Sequence, residues 1–409
     1  MNIRLSVVLL GFCLAGAATA ALPQDLPQTY LASPKTLAEV RAAVRSGAPA
    51  YTDALAQLRK DAAKALKAGP FSVTVKTQVP PSGDTHDYMS LARYYWPDPS
   101  KPNGLPYIQR DGETNPEIDT IPDKNQMNGM ETAVSTLALA YYLTGEEPFA
   151  ARATVLLRAW FLDPATRMNP NLDFGQAVKG KDTGRPTGLI DTRALADVVD
   201  AVGLLRGSPS WTAADQRGVE TWYRAFLQWL QTSRNGKGEA AATNNHGVWY
   251  DVQMVSMALF TGQTDVATRV LMAARTARIA AQIVPDGAMP RELARTTSAG
   301  YTLFNLQAFA ALAALGERAG IDLWQFETKD GRSIRKAIAF VLPYLRDGRA
   351  WPHKQIHAFN PAGYYPLLVA AGSHYPDLKL ESLADVLGGP AARANRANLR
   401  FGRVDPATR

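Results

Sequence analysis

One short segment carries side chains that could hold an anion. Asn244, Asn245 and His246 are consecutive and lie where the pattern predicts the start of a helix. Amide and imidazole groups there would point into whatever the helix N-terminus faces, and the helix dipole favours an anion at that end. A plainer interpretation is that one asparagine caps the helix and His246 is satisfied locally.

A second segment adds cations and a phenol. Arg291, Arg295 and Tyr301 fall within eleven positions at another predicted helix start. A guanidinium can bind a carboxylate through two parallel hydrogen bonds, and a phenol can transfer a proton. The alternative is a surface loop followed by a core tyrosine. The two segments support each other only if the fold brings them together.

Residues 70–127 differ from the rest of the chain in being rich in Pro, Gly, Asp, Asn and aromatic residues, without sustained periodicity. Such a long irregular stretch is usually functional. Aromatic rings interleaved with amides and charges suit a sugar, which stacks on rings and hydrogen-bonds through its hydroxyls. A structural cover over the helices is the alternative. From this stretch and neighbouring helix starts, the candidate binding residues are His86, Tyr88, Tyr95, Trp96, Tyr107, Asn128 and Trp249.

The elements that must position these residues are helices. Ala/Leu-rich amphipathic patterns predict one or two helices over 36–66 and further helices at fairly regular spacing after Gly129. Gly145 and Gly262 each end a helix just before the next begins. We therefore predict an all-α fold of paired antiparallel helices that close into a toroid or stack as a solenoid. The predicted later helices are 130–144, 147–161, 189–206, 212–233, 245–261, 264–284, 301–319, 330–346 and 360–372.

Composition narrows the function classes. The 409 residues contain 44 Lys+Arg against 37 Asp+Glu, a formal charge of +7, with 46% apolar residues. These values exclude a mostly disordered chain. One Cys excludes an intramolecular disulfide and a Cys-based zinc site, and the five His residues are scattered. The positive charge fits a polyanionic partner, either an anionic polysaccharide or a nucleic acid.

The N-terminus reads as an export signal. Arg4 precedes an apolar run, and Ala18-Thr19-Ala20 matches a signal-peptidase site. The run is too short to span a bilayer, so stable membrane insertion is not expected. Cys13 raises the alternative of a lipoprotein signal. Phe12 argues against it, because lipoprotein signals have a small residue directly before the cysteine. We predict a signal peptide at 1–20, one domain at 21–390, a loose tail at 391–409, and a periplasmic or secreted location.

Taken together, these motifs resemble the alginate lyase superfamily of polysaccharide lyases. The chain has Asn-Asn-His, then Arg-x5-Tyr about 55 positions later. The aromatic stretch from His86 to Tyr107 and the run Asn128-Gly129-Met130-Glu131 are also similar to that superfamily. The resemblance covers roughly residues 50–345 and implies an (α/α) toroid. Gly247 stands where several relatives have Ser, which leaves the subfamily open.

The resemblance also implies that Asn245, His246, Arg295 and Tyr301 line the cleavage site, with Tyr301 as proton donor. A lyase removes the proton at C5 of a uronate and expels the 4-O-linked sugar, so donors must hold the charge that develops. Asn245 and Arg295 suit that task, and no metal or other cofactor is expected. Tyr301 would need a lowered pKa to act as the base, and His246 is the alternative base.

Two other classes remain open on the sequence. An (α/α) glycoside hydrolase needs two carboxylates about 5–10 Å apart, which could come from Asp87, Asp111, Glu113, Glu131 and Asp251. A non-catalytic periplasmic polysaccharide-binding protein needs only the aromatic stretch. Export and the lack of a recognisable nucleic-acid motif argue against nucleic acid. The polyuronate itself, alginate (polymannuronate) or glucuronan, and the oligomeric state are not readable.

Overall fold

The structure is a computed structural model that describes residues 26–403, so the predicted signal peptide lies outside the described residues. Helices dominate this part of the chain. Its α-helices are α1 (Pro34–Arg45), α2 (Thr52–Ala65), α3 (Asp123–Thr144), α4 (Glu147–Leu157), α5 (Leu195–Leu204), α6 (Ala213–Thr232), α7 (Arg234–Ala240), α8 (Asn245–Phe260), α9 (Thr264–Ala274), α10 (Pro290–Leu293), α11 (Ser298–Arg318), α12 (Ile334–Arg346), α13 (Tyr365–Gly372), α14 (Leu380–Gly388) and α15 (Ala397–Phe401).

Packing between these helices makes an (α/α) toroid, as the sequence predicted. The inner ring runs α3, α5, α8, α11, α13, and outer helices such as α4, α9 and α14 pack against it. Tight turns at Gly145 (φ +76°) and Gly262 (φ +74°) reverse the chain between inner and outer helices. Because outer helices return the chain each time, the inner helices are parallel and their N-termini meet at one end.

The inner ring is the most buried part of the fold. One hydrophobic core extends from Leu31 to Leu399. Within residues 26–403, α11 alone is long and apolar enough by composition to cross a membrane, yet it lies in the inner ring with most of its residues buried. Its apolar character is that of a core helix.

The aromatic stretch contains short strands that the sequence did not predict. β1 (Met89–Leu91) pairs in parallel with β4 (Phe174–Ala177), and β2 (Tyr95–Trp96) pairs antiparallel with β3 (Ile108–Gln109). Two to four residues per strand are too few to give a periodic signal. α3 also begins seven residues earlier than predicted, so its first two turns belong to this stretch.

A buried ion pair ties the stretch to the inner ring. Lys76 Nζ lies 2.9 Å from Asp123 Oδ2, and both side chains are fully buried. Lys76 also donates to the carbonyls of Val73 and Thr85, while Asp123 accepts the backbone N–H of Met89. Burial raises the pKa of Asp123 to about 6 even though Lys76 opposes the shift. The start of α3 is thereby fixed to both ends of the segment before β1.

The C-terminal residues correct one prediction. Residues 391–403 are not loose: α15 packs between α13 and α1, and Asn398 and Leu399 are fully buried. Arg396 donates to Thr136 Oγ1, and Arg400 Nη2 lies 2.7 Å from Asp197 Oδ1. The Arg- and Asn-rich composition suggested a loose tail, but these side chains contact polar partners inside the ring of helices. Residues 404–409 lie outside the described part.

Candidate active site

The convergent N-termini of the inner helices bring the two predicted segments together. Asn245 and His246 open α8, and Tyr301 lies in the first turn of α11. Arg295 lies three residues before α11, and Glu292 on α10 precedes it in the chain. Burial raises the pKa of the Glu292 carboxyl, and the charges of both Arg295 and His246 oppose that shift. The four residues predicted as catalytic therefore occupy one cluster.

Asn245 sits beneath the surface of this cluster. It is fully buried, and its backbone N–H and Nδ2 donate to the two oxygens of Glu292 at 2.7 and 2.8 Å. Glu292 is 1% exposed, and burial raises its pKa. The amide nitrogen therefore contacts Glu292 rather than an open site. Its Oδ1 is also buried, with no hydrogen-bond partner among the described residues.

His246 is held from behind by a carboxylate. Its Nδ1 lies 2.6 Å from Oε1 of Glu239, a residue only 1% exposed. Within residues 26–403 no group is hydrogen-bonded to Nε2 of His246, and 18% of the side chain is accessible. The ring is thus anchored on one nitrogen and open on the other.

Arg295 is anchored by Asp111 from the aromatic stretch. Its Nε donates to Asp111 Oδ1 at 3.0 Å, and its Nη2 donates to the same oxygen. Thr296 adds hydrogen bonds from its backbone N–H and hydroxyl. Burial acts to raise the pKa of Asp111, but the hydrogen bonds from Arg295 and Thr296 outweigh it and lower that pKa to about 2. Asp111 therefore stays ionised and keeps Arg295 in place.

Tyr301 lies against this ion pair. The Arg295 guanidinium carbon is 3.6 Å from the centroid of the Tyr301 ring, and the Tyr301 hydroxyl donates to the Tyr94 hydroxyl at 3.0 Å. Burial and the bond to Tyr94 raise the pKa of Tyr301, although Arg295 pulls it down. The lowering that would make this phenol a base does not occur. Tyr301 is kept protonated and suited to be an acid.

Residues that follow α12 pack over the start of α11. Trp351 Nε1 donates to Ser298 Oγ at 2.8 Å, and the Ser298 hydroxyl donates to the carbonyl of Lys354. The backbone N–H of Ile356 donates to the carbonyl of Thr296. The chain after α12 therefore packs beside the Arg295–Tyr301 pair.

The predicted aromatic binding residues divide into two groups. Tyr95, Trp96 and Tyr107 are partly exposed, and cations lie over their rings: Arg185 at 4.8 Å, Arg110 at 5.4 Å and Lys179 at 5.8 Å from the respective centroids. Rings paired with cations suit a sugar acid.

Tyr88 and His86 do not line this surface. Tyr88 is fully buried and donates to Asp191 at 2.9 Å, which corrects its prediction as a binding residue. Nδ1 of His86 lies 2.6 Å from the carbonyl oxygen of Arg167, a residue that makes no contact with the catalytic cluster's side chains in the hydrogen bonds described above. Both residues hold the backbone of the stretch in place.

The other predicted binding residues occupy the rim and floor. Arg291 is exposed and has no ion pair in the described structure. Asn244 precedes α8 and accepts from Gln282 through its carbonyl, and its side chain does not cap the helix. The Trp249 ring packs 5.2 Å from that of Phe304, one turn below the residues of the cluster.

A cavity of about 460 Å³ lies between α3 and α5. Asn128 and Arg193 lie at its rim, and Arg193 stacks 5.4 Å from the Phe304 ring. Glu131 lines the wall, and burial raises its pKa to about 8. None of the four predicted catalytic residues lines this cavity, so it is separate from the cluster.

Gly247 differs from the serine that the family resemblance led us to expect, and steric crowding explains the glycine. A Cβ there would overlap the carbonyl oxygen of Ala242 and the guanidinium of Arg278. Arg278 donates to the carbonyls of Ala240 and Ala242 and to Asp251. The turn between α7 and α8 is thus packed around this arginine, and only glycine fits.

Sequence reasoning missed Tyr94, Glu239 and Glu292 as site residues, and it considered Asp111 only as a possible carboxylate of a hydrolase. Tyr94, Asp111 and Glu292 lie within the two sequence segments 70–127 and 291–301. Their spacing, however, does not show which partner each side chain contacts. Glu239 lies seven residues before His246 with no pattern connecting them. Among the described residues, no group of three or more His, Cys, Asp or Glu side chains is placed to hold a metal ion.

The chain is similar to a known family and to solved structures. Residues 72–351 match the family model described as alginate lyase. Among solved structures, 22 chains match. A crystal structure of an alginate lyase from Bacteroides ovatus is 39% identical with a TM-score of 0.87, covering 92% of this chain and 99% of that chain.

More distant structures share the fold. Two variants of alginate lyase A1-III, each in complex with a tetrasaccharide, are 18% identical with TM-scores of 0.62 and 0.60. They cover 93% and 94% of this chain, and the matches span 98% and 100% of theirs. No curated protein matches the chain.

The Asp111–Arg295 pair makes a prediction with a matched control. Asp111→Asn should lower kcat/KM about tenfold, because Arg295 loses a charge-assisted partner. Asp215 pairs with Arg158 and its pKa is also lowered to about 2, but it caps α6 far from the cluster. Asp215→Asn should leave activity unchanged.

The loss of stability relative to wild type should depend on pH in the same way for both variants. A carboxyl whose pKa is lowered in the folded state stabilises above its unfolded pKa near 3.9, and this contribution is lost as pH falls towards about 2. The difference in Tm from wild type should therefore shrink between about pH 6 and about pH 3 in thermal unfolding. An equal difference at both pH values contradicts the assignment.

Proposed function

The chain belongs to the alginate lyase family and is a polysaccharide lyase, and on that premise we propose that it cleaves a polyuronate by β-elimination, with mannuronate-rich alginate as first substrate and glucuronan as second. The observation that carries the proposal is the Arg295–Tyr301 pair. It places a protonated phenol beside a fixed cation, at the same end of the toroid as His246.

The reaction needs three tasks. The substrate carboxylate must be held while negative charge develops next to it, the C5 proton must be removed, and the leaving 4-O oxygen must be protonated. The product carries a new C4–C5 double bond at its non-reducing end. No water is consumed, which distinguishes this reaction from hydrolysis.

We assign the acid and base from the site. Tyr301 protonates the leaving oxygen, because its raised pKa keeps the proton on the phenol. His246 takes the C5 proton through Nε2, the nitrogen that Glu239 leaves open. Tyr94 orients the Tyr301 hydroxyl.

Cations suited to bind the polymer surround these groups. Within the described residues neither Arg291 nor Arg193 forms an ion pair, although the charge of Arg193 acts on the carboxyl of Glu131. We assign both cations to substrate carboxylates. Arg295 shares its charge with Asp111 and acts beside Tyr301. The formal charge of +7 supports an anionic polysaccharide as partner.

The hydrolase alternative finds less support in the site. Asp111 is bound to Arg295, Asp251 to Arg278, and Asp87 accepts from two asparagines and a serine. These carboxylates are committed to partners within the protein. A non-catalytic binding protein would not need the acid at Tyr301.

We also propose that the protein is exported, with residues 1–20 removed. The support is the signal-like sequence of Arg4, the apolar run and Ala18-Thr19-Ala20. Sequencing the mature N-terminus should find it near Ala21, and retention of Met1 would contradict export by this route.

The substrate proposal is tested with a panel of polymannuronate, polyguluronate, glucuronan and polygalacturonate. Purified protein should raise the ultraviolet absorbance of the unsaturated product fastest on polymannuronate. Cleavage with new reducing ends but no absorbance would indicate a hydrolase. Binding without cleavage would indicate a non-catalytic protein.

Tyr301→Phe separates the acid from a packing role, because it removes only the hydroxyl. On the best polymer of the panel, kcat should fall by about a hundredfold or more, with KM and Tm almost unchanged. The control is Tyr375→Phe, which removes a buried hydroxyl bonded to the carbonyl of Trp324 on another part of the fold. That variant should lose stability but keep its turnover. Near wild-type turnover in Tyr301→Phe would contradict the mechanism.

A further inference from the structure

Glu239 contacts the candidate base from the side opposite the substrate. It lies near the end of α7, and its Oε1 is 2.6 Å from His246 Nδ1. Its other oxygen, Oε2, is buried without a hydrogen-bond partner in the part of the chain that the structure describes. Among residues 26–403, the imidazole is therefore the only hydrogen-bonding neighbour of this carboxyl.

Burial decides how the proton is shared between the two groups. A carboxylate that is removed from water needs a strong donor to offset the lost hydration. An N–H donating to an ionised carboxylate is such a donor, and its short length is typical of a charge-assisted bond. The favourable arrangement therefore places the proton on Nδ1, donated to Glu239.

We propose that Glu239 is a positioning residue that fixes His246 in the Nδ1–H tautomer, so that the Nε2 lone pair faces the substrate as a proton acceptor. The inference rests on the proposed function for its catalytic meaning, but the tautomer itself is a property of the free protein. In the opposite tautomer the neutral ring would present an N–H and could not accept a proton.

The surrounding structure keeps these two residues in register. Arg278 donates to the carbonyls of Ala240 and Ala242, one and three residues after Glu239, and also to the carboxylate of Asp251 on α8. It lies on the π-helical turn Arg275–Ala280, a local irregularity often found near functional sites. The α7–α8 turn is thereby clamped at both ends.

Nearby groups do not compete for Nδ1. The hydroxyl of Tyr250, which lies close enough to sense the charge of Glu239, donates to the carbonyl of Leu230 at 3.0 Å. Glu292, on whose carboxyl the charge of His246 acts, accepts two hydrogen bonds from Asn245. The tautomer is therefore set by Glu239.

The direct test is long-range ¹H–¹⁵N correlation spectroscopy of the ¹⁵N-labelled free protein. The chain has five His residues, so the ring signals can be assigned by single substitutions. In wild type, His246 should show a protonated Nδ1 and an unprotonated Nε2 above the pH at which the ring loses its second proton. A protonated Nε2 with a bare Nδ1 in wild type overturns the proposal, whether or not any variant folds.

Glu239→Gln tests the cause. The amide has one acceptor and one donor end, so it can bond either tautomer, and the His246 signals should shift towards a mixture or the Nε2–H form. kcat should fall in proportion to the loss of the Nδ1–H form, about tenfold where one tenth of that form remains, with KM nearly unchanged because the binding surface remains. Unchanged His246 signals together with unchanged kcat overturn the proposal.

Glu317→Gln is the matched control. Glu317 Oε1 lies 3.5 Å from His374 Nδ1, a second Glu–His contact on a partly exposed surface. This variant should alter only the His374 signals and leave kcat unchanged. If wild type cleaves no polyuronate but shows the Nδ1–H tautomer, the proposed function fails while the positioning role of Glu239 stands.

Discussion

The bond between Asp111 and Arg295 is the contact on which the rest of the site depends. Asp111 belongs to the irregular stretch before α3, and Arg295 lies in the connection between α10 and α11, 184 positions away in sequence. The ion pair joins these two parts, and it holds the guanidinium against the Tyr301 ring. Tyr94, on the same stretch as Asp111, then reaches the Tyr301 hydroxyl. Without this pair, the acid would have neither its cation nor its orienting partner.

Beneath the cluster, carboxylates are buried where helices begin. Glu292 binds the first residue of α8, Glu239 binds the second, and Asp123 opens α3 with Lys76 as its partner. Each such burial costs free energy that only a specific hydrogen-bond geometry offsets. The fold tolerates this cost because the carboxylates fix the polar side chains above them. Cations at the rim, such as Arg291, are meanwhile left for the anionic polymer.

The sequence predicted the scaffold better than the contacts. Helix periodicity and the glycine turns at Gly145 and Gly262 indicated the paired helices, because these signals are local. The motifs indicated His246, Arg295 and Tyr301, which the toroid brings to one end. Partners such as Asp111 and Glu239 could not be read, since their contacts arise from tertiary packing. Tyr88 was misplaced for the same reason: its ring fits a sugar platform by type, but its hydroxyl belongs to the buried Asp191. Arg396 and Arg400 likewise suggested a loose tail because their internal partners are distant in sequence.

In the proposed reaction a protonated Tyr301 and an open His246 nitrogen perform an elimination, so the most direct measurement is the mass of the product. Mass spectrometry of oligosaccharides released from polymannuronate should find chains one water lighter than hydrolysis products. The new double bond should lie at the non-reducing end. Products with the full mass of saturated oligouronates would contradict the elimination and the roles given to both residues.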